Sequence, residues 1–262
     1  MDNIVKQIYV SKTLETYFGK NFRERWNLDP YHDVNLPAIF FGLYSDVDRM
    51  ALSNHKSKSI VIWGGADMTP QSLSLVKKLV DNNVCGTWAY PGSFSNILLT
   101  NKIKHKEIYV PLKNYDKFQP NILGDKIYVY KGVLGSRPEY FMWDKIIVPL
   151  IKHFGTDKII YTENQKIEDL KTNFYDKCFV YIKPNEKGGC TTMFELAHMG
   201  RKTLGVGHEK LPIFEGYNDM NHLIKLIEGE SAYIGKYRPE ITELMNKVFI
   251  NNNDWLDFKY YG

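Results

Sequence analysis

Residues 179–206 read Phe-Val-Tyr-Ile-Lys-Pro-Asn-Glu-Lys-Gly-Gly-Cys-Thr-Thr-Met-Phe-Glu-Leu-Ala-His-Met-Gly-Arg-Lys-Thr-Leu-Gly-Val. The apolar run from Phe179 to Ile182 predicts a buried strand. An acidic glycine-rich turn follows, with Glu186, Gly188 and Gly189. A helix then carries Thr191 and Thr192 in its first turn and stops at Gly200, before a second apolar strand, Lys202–Val206. Strand, turn, helix and strand in that order are the unit of a parallel α/β sheet. Two adjacent glycines let backbone N–H groups come close to a ligand, and a helix N-terminus offers donors to an anion. A diphosphate or a sugar suits such a turn. Glu195, about one turn into the helix, has a carboxylate able to accept both hydroxyls of a diol.

Working outward, the predicted strands of this half are Lys126–Tyr130, Lys158–Tyr161, Cys178–Ile182 and Lys202–Val206, with helices at Glu139–Phe154, Lys166–Tyr175, Thr191–Met199, Met220–Glu228 and Pro239–Ile250. The first half repeats the alternation. Its strands are Gln7–Val10, Ala38–Leu43, Ser59–Trp63, Cys85–Ala89 and Glu107–Val110, and Thr69-Pro70 marks a helix start before Gln71–Asn82. Periodicity lapses from Lys113 to Gly124, which reads as a linker. The expectation is an α/β chain of two Rossmann-like domains, residues 1–115 and 122–262, with parallel sheets facing a central cleft and the last helix running back toward the first domain. Ligands of such folds collect at the carboxyl ends of the strands.

The chain has 262 residues, 44% hydrophobic and 24% charged, so it can bury two cores, and disorder and coiled coil are excluded. Its apolar runs, Pro37–Tyr44 and Ile146–Ile151, are far shorter than the roughly 20 residues that span a bilayer, so no membrane partner is expected. Three scattered cysteines, Cys85, Cys178 and Cys190, show no metal or disulfide pattern and point to a reduced, intracellular setting. The net charge of +4 lies wholly in residues 1–118, with 15 basic against 11 acidic residues, and its densest cluster is Lys102, Lys104, His105 and Lys106. That cluster reads either as a solvated loop or as a face for an acidic partner. No basic tract marks a nucleic-acid surface.

Glu186, the glycine turn, Glu195 and Gly200 together resemble the donor-binding signature of family-4 retaining glycosyltransferases, which have the GT-B fold. In that family seven residues separate the two acids, and here eight do, so the turn is one residue longer. The resemblance implies that Glu195 holds the ribose hydroxyls of a nucleotide-sugar, and that Glu186 with the amides of Gly188, Gly189, Cys190, Thr191 and Thr192 meets the sugar and phosphates. It further implies that the loop after the strand Lys126–Tyr130 neutralises the departing diphosphate, with Lys131 and Arg137 as cations and Gly132 and Ser136 beside them. Tyr161 and Glu163, after the next strand, fall where the family holds the base. In the family's usual mechanism the acceptor attacks from the face the diphosphate leaves, and the phosphate itself takes the acceptor's proton. Positioning and charge then supply the catalysis, with no metal or other cofactor required.

On the acceptor side, Trp63, Gly64, Gly65 and Asp67 end a strand. Asp67 reads either as orienting an acceptor hydroxyl or as complementing a helix start, the glycines as admitting an acceptor sugar, and Trp63 and Trp88 as stacking platforms or core. Asp46-Val47-Asp48 has the spacing of a metal-holding acid pair, but equally that of a helix cap. The family implies a nucleotide-sugar donor, GDP-mannose first on family frequency and UDP-glucose next, a glycan or glycoprotein acceptor, and a monomer. The Lys-, Asn-, Ile- and Tyr-rich composition also resembles glycosyltransferases of large DNA viruses and phages, which would place the enzyme in a host cytoplasm. A DNA-modifying glucosyltransferase and a non-catalytic nucleotide-sugar-binding protein remain as other readings.

Overall fold

Nearly every residue of the long strands is apolar because both faces of each strand are covered, as a parallel sheet flanked by helices requires. The computed structural model describes residues 4–130, 142–162, 167–184, 190–207 and 210–261. The chain divides into two compact units, Met1–Asn114 with Phe249–Gly262, and Tyr115–Val248.

In the first unit, β1 (Gln7–Val10), β2 (Asp29–Pro30), β3 (Ala38–Phe41), β4 (Ser59–Ile62), β5 (Cys85–Ala89) and β6 (Lys106–Glu107) form a parallel sheet in the order β2-β1-β3-β4-β5-β6. Phe40, Val61 and Ala89 pack on one face with Val76 and Leu98. The helix Pro70–Asp81 starts where the sequence places it: Thr69 Oγ1 accepts from the Ser72 N–H, and Pro70 occupies the first turn. Residues after Phe249 belong to this unit. Trp255 is fully buried edge-on against Trp26, Phe22 and Trp88, and Leu256 accepts from the Val5 N–H at 2.9 Å. Gly86 makes room for this tail, since a Cβ there would lie 2.5 Å from Cγ of Tyr261.

In the second unit, β7 (Lys126–Val129), β8 (Ile159–Tyr161), β9 (Cys178–Lys183), β10 (Lys202–Gly205) and β11 (Phe214–Gly216) form a parallel sheet in the order β11-β10-β9-β7-β8. Ile127, Val129, Ile182 and Leu204 form its core with Ile147, Leu150 and Leu223. Residues 139–141 of the helix expected over Glu139–Phe154 lie outside the described residues. The remainder divides into a π-turn, Trp143–Ile147, and a helix, Val148–Phe154, because Pro149 has no N–H for the Lys145 carbonyl.

The division between the units falls inside the stretch Lys113–Gly124, much of which is nonetheless packed. Tyr115, Phe118 and Leu123 are buried, Tyr115 stacks on His198 at 4.7 Å, and Phe118 packs against Tyr175. Its polar residues mask three apolar anchors. The helix Pro239–Val248 stays with the second unit, where Thr242 Oγ1 donates to the His198 carbonyl at 2.9 Å. It is the fourteen residues following this helix that fold with the first unit.

Candidate functional site

In the second unit the helix Cys190–His198 follows β9, the central strand, so its first turn begins beyond that strand's carboxyl end. Met193, Phe194, Leu196 and Ala197 are fully buried and fix the helix's rotation. Gly200, with φ +86, ends the turn that follows. Glu195 is only 5% exposed. Its Oε2 accepts from the Tyr175 hydroxyl at 2.7 Å. Burial, then the Glu195 charge, push the Tyr175 phenol well above its ordinary value, so it stays a donor. Thr192, 8% exposed, lies at the same hydroxyl. Tyr128 backs Tyr175 at 5.6 Å and shares a hydrogen bond with Thr162, just past β8, at 3.0 Å. Carboxylate, phenol and threonine thus form one buried polar cluster near the carboxyl edge of β7, β8 and β9.

Thr192 and Glu195 meet at the Tyr175 hydroxyl, and Thr191 is half-buried one residue earlier. Tyr161 ends β8 half-buried, with Trp143 edge-on to its ring at 5.0 Å. Lys131, Gly132, Ser136, Arg137, Glu163, Glu186, Gly188 and Gly189 lie outside the described residues, as does the side chain of Cys190.

Two cations with no exposure among the described residues, Lys183 and Arg201, escaped the sequence reading. Lys183, the last residue of β9, is 0% exposed, and its Nζ donates to the Val206 carbonyl at 3.1 Å, beyond the end of β10. A lysine closing an apolar strand immediately before a proline was the available signal. Arg201, also 0% exposed, donates to the carbonyls of Cys178 and Ile122 at 3.2 Å each, and to Met199 and Asn121. Burial lowers its pKa. Arg201 is a strut between the turn after the helix and the entry to β7.

The first unit corrects the acceptor-side expectations. Asp67 is 0% exposed and faces backbone, not solvent. Its Oδ1 accepts from the N–H groups of Gly64 at 3.0 Å and Gly65 at 2.8 Å, and its Oδ2 from the Leu43 N–H at 3.0 Å. It staples the loop after β3 to the loop after β4. Burial pushes its carboxyl upward against the pull of these backbone donors. Trp63 is core, 5% exposed, with Nε1 donating to Thr87 Oγ1 at 2.8 Å. Trp88 is equally buried and packs on Trp255. The space beside Gly64 is taken: a Cβ there would collide with the Tyr44 hydroxyl and with Leu14. Gly65, with φ +111, lets the turn reach Asp67.

Asp46 and Asp48 diverge. Asp48 is 2% exposed and completes a capping box with Ser45, while also accepting from Tyr9 Oη at 2.9 Å and Ser11 Oγ at 3.0 Å. Asp46 is exposed and pairs with Arg49 at 2.6 Å. Opposite demands of cap and surface separate the two carboxylates. Among the described residues, no three His, Cys, Asp or Glu side chains are grouped to hold a metal ion. Nor is any described helix long and apolar enough to cross a membrane.

No protein-family model and no curated protein matches the sequence. Solved structures do match. A lipopolysaccharide outer core galactosyltransferase, WaaB, in its apo form, is 11% identical with a TM-score of 0.51, over 86% of this chain and 73% of that one. A sucrose-phosphate synthase from Thermosynechococcus elongatus is 13% identical with a TM-score of 0.55, over 96% of this chain and 78% of that one. At such identities the likeness is one of fold. Two parallel α/β units of this kind are the GT-B architecture.

Proposed function

We propose that this chain is a glycosyltransferase that moves a hexose from a nucleotide-sugar to a glycan or protein-linked acceptor, with retention of configuration. The observation that carries the reading is the Glu195 carboxylate, buried on the helix beyond the central strand and held at 2.7 Å by Tyr175. A carboxylate fixed in that way is preorganised to accept two hydroxyls of a ribose. The amides of Gly188, Gly189, Cys190, Thr191 and Thr192 take the diphosphate, with Glu186 at the sugar. Lys131 and Arg137 neutralise the diphosphate as it leaves, and that phosphate accepts the acceptor's proton. Arginine suits the clamp because its planar fork meets two phosphate oxygens at once. Gly132, Ser136, Tyr161 and Glu163 border the donor, GDP-mannose is the favoured one with UDP-glucose next, and no metal is used. The acceptor belongs to the first unit.

Calorimetric titration with a panel of nucleotide-sugars tests this, on the wild type and on Glu195→Ala. Two hydrogen bonds to a charged group are worth about 3 kcal/mol together, so Glu195→Ala weakens the preferred donor about 10²-fold. Absence of binding by every nucleotide-sugar, or unchanged affinity in the variant, refutes the reading. Donor hydrolysis that persists with excess chelator supports metal independence, and the anomeric configuration of the product decides retention.

A further inference from the structure

The first unit holds a cavity of about 270 Å³ at the amino end of β5, bordered by Asn83, Thr87, Lys104, His105, Lys106 and Tyr261. The loops after β3 and β4 lie at the opposite end of the sheet, about 15 Å away by the rise of a five-residue strand. The cavity therefore belongs to none of the groups assigned above. Its basic rim is built. His105 Nδ1 lies 2.9 Å from the Ile103 carbonyl, which only accepts, so Nδ1 carries a proton. Nε2 lies 2.8 Å from Ser95 Oγ, and that hydroxyl donates to Glu107 Oε1 at 2.6 Å. Both ring nitrogens are engaged, which fixes the loop that presents Lys104 and Lys106.

Among the described residues neither lysine forms an ion pair; Lys106 Nζ lies over the Tyr260 ring at 5.3 Å. Lys58 Nζ adds positive charge nearby, bonded to the Asn83 carbonyl and set over the Phe258 ring at 4.6 Å. Lys104 and Lys106 border this concave site together with Tyr261 and Asn83, while the nearby Glu107 carboxylate is engaged by Ser95 Oγ; the lysines and the aromatic wall form a receptor for a compact anion carried on a polar ring. The volume falls just under the range usual for drug-sized ligands, which fits a monosaccharide bearing one phosphoryl group. We propose that this cavity is a second ligand site, for a sugar phosphomonoester, with the phosphoryl group on Lys104 and Lys106 and the ring against Tyr261. Its wall is completed by the tail, so the site exists only while residues after Phe249 are docked.

Calorimetry with glucose 6-phosphate and with inorganic phosphate tests the proposal, on the wild type, on Lys104→Glu/Lys106→Glu, and on Lys20→Glu as a control at an exposed lysine. Glucose 6-phosphate is expected to bind more tightly than phosphate, and affinity to fall at least about tenfold in the double variant but not in the control. Nucleotide-sugar affinity is expected to be the same in all three chains, which separates this site from the proposed donor site. In the unmutated chain, glucose 6-phosphate should protect Lys104 and Lys106, but not Lys20, from acetylation read by mass spectrometry. A phosphorylated oligosaccharide competing better than glucose 6-phosphate assigns the phosphate to a glycan; the reverse assigns it to a free sugar phosphate. The proposal is overturned by absence of both heat and protection, by equal affinity in the double variant, or by binding confined to phosphatidylglycerol vesicles.

Discussion

Replacing Asp67 by asparagine separates a structural staple from an acceptor-orienting acid. In the wild type three backbone N–H groups end on its two oxygens, at 2.8 to 3.0 Å, with no solvent access. Asparagine keeps the shape and one oxygen. With that oxygen serving Gly64 and Gly65, the amide nitrogen faces the Leu43 N–H, donor against donor. Leaving that N–H unpaired in a buried site costs about 1–3 kcal/mol, and the two remaining bonds each lose about 1 kcal/mol when their acceptor becomes neutral. Relief of the buried charge opposes these losses, so the net cost is about 2 kcal/mol. At roughly 2–4 °C per kcal/mol for a chain of this size, the melting temperature falls by about 4–8 °C.

The pH dependence has a definite sign. Because burial raises the folded carboxyl above its ordinary 3.8, the folded chain holds this proton where the unfolded chain has lost it. Asp67 therefore contributes most stability below pH 3.8, and this contribution declines as pH rises from 3.8 through the folded value. A protonated carboxyl keeps lone pairs for its N–H partners, which an amide nitrogen lacks. Subtracting one chain from the other cancels every other titrating group. The stability gap between wild type and Asp67→Asn should thus be widest at acid pH and narrow toward neutrality. Calorimetric melts across pH, read beside donor KM and kcat, decide the matter. A variant within roughly 0.5 kcal/mol of wild-type stability but with collapsed kcat would refute the staple and restore the acceptor role.

Tyr175→Phe removes the donor to Glu195 and should weaken nucleotide-sugar binding about tenfold while costing only about 1 kcal/mol of stability; a variant that binds normally shows that Tyr175 does not position Glu195. Gly86→Ala drives a methyl into the Tyr261 ring and should cost about 1–3 kcal/mol, with the tail becoming protease-sensitive and the Trp255 emission shifting to the red; resistance equal to wild type would contradict the docking. Arg201→Lys should destabilise the second unit by about 3 kcal/mol, because a point charge cannot span the Cys178, Met199 and Ile122 carbonyls that the guanidinium bridges; an unchanged unfolding midpoint would rule out the strut. The Cys85 thiol, pushed up to about 12 by burial, should resist iodoacetamide at about pH 8 until the first unit unfolds.

The sheets were legible because their strands are sealed on both faces. Ala38–Phe41 and Ile60–Ile62 are continuous apolar runs, and β5 begins and ends where its composition predicts. The edge strands Asp29–Pro30 and Phe214–Gly216 were not, since two or three residues paired on one side need no apolar signature. The tail shows the limit differently. Trp255, Phe258 and Tyr261 recur every third residue in short helical turns, a signal present in the sequence, but their partners Trp26 and Trp88 are more than 150 residues away and nothing local announces the pairing.

The two carboxylates at the centre of the functional reading separate the two kinds of information. Asp67 and Glu195 are alike in sequence, an acid shortly after a glycine-bearing turn beyond a buried strand. They are alike in burial too, at 0% and 5%. What differs is the partner. Asp67 meets rigid backbone donors from two loops, and moving any of them means remaking the end of the sheet. Glu195 meets the hydroxyl of a tyrosine twenty residues earlier in the chain, a side-chain donor that can rotate. On the proposed reading a ligand hydroxyl joins Tyr175 at the Glu195 carboxylate, whereas rigid backbone N–H groups already occupy both oxygens of Asp67. Motif spacing finds both acids, and the identity of their donors separates Asp67, a scaffold, from Glu195, the proposed receptor.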